Sequence, residues 1–330
     1  IPRVAMSSWR KSRKHRTCLC FRIAAMSILI IHHDDCLRHD PGPGHPESSH
    51  RIKAVMGGLE GLKGLQKLPA PRATTDQISR AHPVDYWNEI LAREPLEGSV
   101  AIDADTYINH GSIDATLRAS GGLCFAIDQI LGGQALRAFC AVRPPGHHSE
   151  PERAMGFCLL NHVAIGALHA LEFAAIKRVA IIDFDVHHGN GTQAVFEQNP
   201  DVLFVSSHQM PLYPGSGRAE ETGCGNILNQ PLAAGDGSKA FRKTWSTVGL
   251  PAVHEFAPDL ILVSAGFDAH QRDPLAQMEL QDSDYRWITK EICDLATDSC
   301  QGRVASILEG GYDLEALATA SRAHVRGLAC

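Results

Sequence analysis

From Ile28 onward the chain alternates short, continuous apolar runs with longer amphipathic stretches. The runs are ILII at 28–31, AFCAV at 138–142, VAII at 179–182, VLFV at 202–205, LILV at 260–263 and VASIL at 304–308. Each is too short for a globular helix and too continuous for a half-exposed strand, so the pattern predicts strands of a parallel sheet buried on both faces. Between them lie helical patterns with start signals: Ser112 ahead of Ile113, Leu117 and Leu123; Asn161 ahead of Val163, Ala167 and Leu171; Ser283 ahead of Ile288, Ile292 and Leu295. This alternation predicts an α/β protein with helices on both faces of the sheet. No internal repeat or long low-complexity linker divides the chain, and residues 26–330 are read as a single domain.

The residues that follow the runs change the picture from fold to chemistry. ILII is followed by His32 and His33, AFCAV by RPPGHH, VAII by DFDVHH, VLFV by SSHQ, LILV by SAGFDAH and VASIL by EGGYD. In a parallel sheet the carboxyl ends of the strands share one edge, and ligands bind there. Six polar tips on one edge point to a site.

Composition narrows the function classes. The chain has 330 residues, 44% hydrophobic and 21% charged, with a formal net charge of 31 − 37 = −6, the profile of a soluble globular protein. A nucleic-acid binder would show a basic domain; here the basic run from Arg10 to Arg16 is confined to the amino terminus. No apolar stretch reaches the ~20 residues of a membrane span. The ten cysteines contain no CxxC pair, which points to free thiols and a reducing, cytoplasmic compartment. Residues 1–25 carry a basic and then a short apolar stretch, like an export signal. The apolar run continues through Met26 into the first strand, however, so the natural start is expected near Met26 and residues 1–25 are read as an extension without function.

The chemistry concentrates in three places. In Asp183-Phe184-Asp185-Val186-His187, a strand period of two would put Asp185 and His187 on one face, and Asp268 at another strand end supplies a third donor. Two carboxylates and an imidazole, with a free position for water, suit a catalytic Zn²⁺ or Fe²⁺. His147 and His148 follow a stiff Arg143-Pro144-Pro145-Gly146 loop, and the ordinary pKa of histidine, near neutral, suits a general base and acid. Tyr312 follows Gly310 and Gly311, where its phenol could donate to a developing oxyanion.

RPPGHH, GFCLLNHVAIG, DFDVHHGNGT, SSHQMPLYPGSG, SAGFDAHQRDPLA and EGGYD, with HDPGPGHPESSHRI at 39–52, resemble the signature blocks of the metal-dependent histone deacetylase superfamily. The likeness is to its class II and bacterial deacetylase-like amidohydrolase branch. It implies the arginase-deacetylase fold, an α/β/α sandwich around a mainly parallel sheet of about eight strands, and a hydrolase acting on acylated amines. By resemblance, Asp185, His187 and Asp268 match the zinc ligands. His147 and His148 match the tandem histidines, with His148 the proton shuttle and His147 held by Asp183. Tyr312 matches the carbonyl-polarising tyrosine, with Gly310 beside it at the substrate. Gly156, Phe157 and Tyr213 match the walls of the acyl-lysine tunnel, Asp105 a rim carboxylate that binds the substrate backbone, and Asp183 with Ser206 a structural potassium site. Asn190 stands where class I members have a second histidine-orienting Asp. A neutral amide stabilises imidazolium less than a carboxylate does, which leaves His148 the easier base.

An arginase-like enzyme would need further bridging carboxylates, yet Gly189 and His270 occupy those places. An inactive acyl-lysine reader would lack a catalytic group, and none is missing. Acetylated lysine side chains of peptides or proteins are the expected substrates, with acetylated small amines as the alternative; Leu275 stands where polyamine deacetylases carry an acidic gatekeeper. Oligomerisation is left open.

Overall fold

The computed structural model describes residues 27–330; the expectations for residues 1–25 and the basic run fall outside them. Ten strands form: β1 (Ile28–His32), β2 (Leu65–Pro69), β3 (Ser99–Ala101), β4 (Tyr107–Asn109), β5 (Arg137–Cys140), β6 (Val179–Asp183), β7 (Val202–Gln209), β8 (Ile227–Leu232), β9 (Leu260–Ala265) and β10 (Val304–Leu308). Eight make one sheet in the order β2-β1-β5-β10-β9-β6-β7-β8, every pairing parallel. β3 and β4 form a separate antiparallel pair.

Five of the six apolar runs lie wholly within this sheet and AFCAV runs two residues past the end of β5; the six inner strands are the ones they predict. The two strands the pattern misses are the two edges. An edge strand has a partner on one side only, and LQKLP in β2 is half-exposed to exposed along its length, so no continuous apolar run marks it. β7 extends four residues past its apolar run, because Ser206, Ser207, His208 and Gln209 are also buried.

Helices cover both faces. Phe139 and Ser306 are paired in register and face His324 in the helix Leu314–Leu328. Ile31 and Val142 lie on the opposite side, against Gly122 of the helix Ser112–Leu131. Gly121 of that helix touches the backbone of residues 71–73, where a Cβ would come within 2.4 Å of the Ala73 nitrogen.

Two of the three predicted helix starts shift. Asn161 caps the helix His162–Leu171 by accepting from the Ala164 N–H. Ser112 is instead the first helical residue, after Gly111 at φ 117°, and its hydroxyl accepts the Asn109 N–H. The third helix is Asp282–Ser299, capped by Gln281 and Asp284, not by Ser283.

Candidate active site

β6 ends at Asp183, and the segment after it is not a strand. The period-two expectation for Asp185 and His187 is therefore wrong in mechanism, although the two side chains do converge. Side-chain turns bring them together: Asp183 Oδ1 accepts the Asp185 N–H at 3.0 Å, and Asp185 Oδ1 accepts the His187 N–H at 2.8 Å. Short polar side chains that bond the backbone two residues on make such turns locally.

Asp268 arrives from the loop after β9. Ligand atoms of Asp185, His187 and Asp268 all lie within 4.8 Å of one another, and all three residues are buried. His187 Nδ1 is 3.1 Å from Asp185 Oδ1 and 3.2 Å from Asp268 Oδ2. Gly310 N–H donates to Asp185 Oδ2 at 2.8 Å and Val186 N–H to Asp268 Oδ1 at 2.9 Å, so both carboxylates are aimed by backbone. Two glycines make room: a Cβ on Gly266 would meet Asp185 Oδ2 at 2.1 Å, and one on Gly310 would meet Asp268 Oδ2 at 1.9 Å.

Burial opposes a positive charge on His187, but the flanking acids hold its pKa up at about 10. The same two buried carboxylates would draw a divalent cation in place of that proton. Two oxygens and one nitrogen leave a coordination position open, as in catalytic sites, and the residues present fit such an ion. Among the described residues no second group of three or more His, Cys, Asp or Glu side chains converges in this way. His270 turns toward Asp282, at 3.6 Å.

The tandem histidines sit beside this group, their ring centroids 4.1 Å apart, and meet different partners. His147 Nδ1 donates to Asp183 Oδ2 at 3.0 Å. Burial disfavours its charge, yet Asp185 and Asp183 outweigh that and raise its pKa to about 10. His148 Nδ1 lies 2.8 Å from Asn190 Oδ1. Burial, with His147 and His187 nearby, pushes His148 well below the ordinary histidine range.

Tyr312 is half-buried. Its ring meets Phe157 edge-on at 5.9 Å, and the Arg51 guanidinium lies over it at 4.9 Å. Burial raises the phenol's pKa well above its usual value, opposed by Arg51 and assisted by Asp268 and Asp185, so it stays a donor. Phe157 takes φ 69° and Gly156 φ 57°; a Cβ on Gly156 would come within 2.4 Å of the His148 ring. Tyr213 is 38% exposed and edge-on to His148 at 5.1 Å. Asp105 accepts the Gly156 N–H at 3.2 Å and the Thr106 hydroxyl at 3.0 Å, both on Oδ1. Leu275 is half-buried, its N–H bonded to Asp273. Asp183 and Ser206 are paired in register across β6 and β7, and the Ser206 hydroxyl bonds His208 Nδ1 at 2.8 Å.

Several supporting residues escape a reading of the sequence. Glu47 is fully buried between Arg51 and Arg143, at 3.1 and 2.5 Å. Arg51 donates to the Gly311 carbonyl at 2.7 Å and to the Glu309 carbonyl. Glu309 Oε2 accepts the Gly146 N–H at 2.6 Å and the His147 N–H at 3.2 Å; burial lifts its pKa to about 7 against the pull of His147. His45 packs edge-on to Phe157 at 4.7 Å. The only local signal was the charged pair in HPESSHR, with Glu47 and Arg51 four apart.

A family model described as "Histone deacetylase domain" matches residues 45–328. The chain belongs to the histone deacetylase family. Among its relatives, the "Histone deacetylase-like amidohydrolase" of Pseudomonas aeruginosa is 38% identical over 81% of this chain and 71% of that protein. A "Probable deacetylase" of Archaeoglobus fulgidus is 37% identical over 87% of this chain and 81% of its own length. The solved structure "Crystal Structure of HDA15 HD domain" superposes with a TM-score of 0.87 at 33% identity, covering 92% of this chain and 88% of that one. The parallel eight-stranded sheet with its helices is thus the arginase-deacetylase fold. As a histone deacetylase-family member the chain is a hydrolase of acylated amines from a metal-dependent family. No described helix is long and apolar enough to cross a membrane.

Proposed function

We propose that residues 26–330 form a single catalytic domain that removes an acetyl, or longer acyl, group from the side chain of an acylated lysine, with Zn²⁺ held by Asp185, His187 and Asp268. The observation that carries this reading is the convergence of that buried triad with a histidine pair whose members meet partners of different charge. Fe²⁺ fits the same donors. When bound, the divalent cation polarises the amide carbonyl and acidifies a water.

The chain's own groups do the rest. His148, donating through Nδ1 to Asn190, keeps Nε2 free to take the proton of the attacking water. Tyr312 donates a hydrogen bond to the oxygen on which negative charge develops. His148 then returns the proton to the departing amine, while His147 stays tethered to Asp183 beside it. Gly156, Phe157 and Tyr213 wall the acyl-lysine tunnel, with Leu275 and Gly310 at its sides. Asp105, with Oδ1 engaged by Gly156 and Thr106, offers its other oxygen to a substrate N–H. Asp183 and Ser206, side by side in the sheet, are the residues we assign to a structural K⁺. Buried free thiols such as Cys36, Cys140 and Cys158 support a reducing, cytoplasmic setting.

The test is a kcat/KM panel of acetyl-lysine peptides, longer acyl-lysine peptides and acetylpolyamines, run on metal-stripped protein reconstituted with Zn²⁺ or Fe²⁺. Acetyl-lysine peptides should rank first and chelation should abolish turnover. An acetylpolyamine ranking first would overturn the substrate assignment. No turnover of any of them at one Zn²⁺ per chain would overturn the reading altogether.

A further inference from the structure

The peptide unit joining Gly311 to Tyr312 is held at both ends by buried ionisable side chains. Its carbonyl accepts from Arg51 Nε at 2.7 Å, and its N–H donates to Asp273 Oδ2, also at 2.7 Å. Arg51 is matched by Glu47. Asp273 differs: it is 7% exposed, and among the described residues no cation lies within ion-pair distance of it. Its bonds are to backbone alone. Oδ2 takes the Tyr312 and Asp313 N–H groups, and Oδ1 takes the Leu275 N–H at 3.0 Å. Burial, with Asp268 nearby, raises this carboxyl to about 7.

The loop that carries Tyr312 needs such an anchor. Residues 309–312 lie between β10 and the last helix without regular structure. Gly310 and Gly311, the latter at φ 124°, give the backbone freedom that would move the phenol with it. The Leu275 segment on the other end of Asp273 is likewise irregular.

We propose that Asp273 is a positioning residue for the deacetylase reaction: by accepting the Tyr312 N–H it sets where the phenol reaches, and by accepting the Leu275 N–H it ties that loop to the neighbouring wall. The proposal rests on the assignment of Tyr312 as the oxyanion donor. Asp273 acts through Tyr312 and touches no reacting atom.

A double-mutant cycle on the zinc-loaded enzyme tests it, with zinc content and melting temperature recorded for every variant. Asp273→Asn sets an amide N–H₂ against a backbone N–H and should lower kcat roughly 10- to 100-fold, the scale of a misplacement of about 1 Å. In a Tyr312→Phe background the same change should alter kcat by less than about twofold, because the group it positions is already gone. Equal factors in the two backgrounds would overturn the proposal, since a merely structural loss acts regardless of the phenol. A Tyr312→Phe enzyme as fast as the parent would instead overturn the assignment of Tyr312, a separate result. Should Asp273→Asn not be recovered folded, Asp273→Glu enters the same cycle; it keeps the charge and displaces the acceptor by one methylene.

Discussion

The Nδ1 of His148 faces the side-chain oxygen of Asn190 at 2.8 Å, and the opposite end of that amide is spoken for. Asn190 Nδ2 donates to Glu150 Oε1 at 2.8 Å, which fixes which way the amide points. An amide oxygen only accepts, so Nδ1 of His148 carries the hydrogen and Nε2 does not. Here a neutral partner selects the tautomer a base needs while stabilising the imidazolium less than a carboxylate would.

Replacing that amide with a carboxylate should change the acidity of the base, and it also removes the donor to Glu150 Oε1. Asn190→Asp places a negative charge against His148, favouring its protonated form and raising its pKa by roughly one to three units. A base must be unprotonated, so the acid limb of the kcat/KM profile should move to higher pH by that amount. An unmoved limb would remove His148 from the role.

Tyr312→Phe deletes one donor and no metal contact. Turnover should fall roughly 10²- to 10³-fold, the loss seen on removing an oxyanion donor, with one zinc per chain retained by metal analysis. Near-parental turnover would exclude the phenol from the reaction.

Gly310 has no room for a side chain. The Cβ introduced by Gly310→Ala would lie 1.9 Å from Asp268 Oδ2 and 2.7 Å from Asp185 Oδ2, forcing both carboxylates to shift. Zinc affinity, measured by chelator competition, should drop roughly 10- to 100-fold, the range for disturbing groups that orient ligands. Unchanged affinity would show that the two acids are not held in place by this contact.

His82 should make the protein sensitive to acid. Its Nδ1 donates to the Pro151 carbonyl at 2.9 Å and its Nε2 accepts the Asn161 N–H at 2.8 Å, so both nitrogens are committed in the neutral form. Burial lowers its pKa from 6.5 to about 4. Between those values the unfolded chain binds more protons than the folded one, and stability is lost as pH falls from 6.5 toward 4. The full loss is on the order of 3 kcal/mol. In urea unfolding at pH 7 and pH 4, His82→Gln should lose less stability on acidification than the parent does; an equal loss would count against this account.

The resident chemistry was written in short, local patterns. Continuous apolar runs mark strands buried on both faces, and the polar residues immediately after them, from His147 and His148 to Asp185, His187, Asp268 and Tyr312, come together because parallel strands end on one edge. Both kinds of signal involve neighbours a few residues apart, and a linear reading can find those. Three-dimensional packing decided what depends on distant partners: β2 and β8 as edges, the turn geometry after Asp183, Glu47 buried between Arg51 and Arg143, and the grip of Asp273 on the Tyr312 N–H, 39 residues along the chain. A buried charge has no periodicity of its own. Its partner is set by which loops the sheet order brings side by side, and strand order is a property of the folded chain.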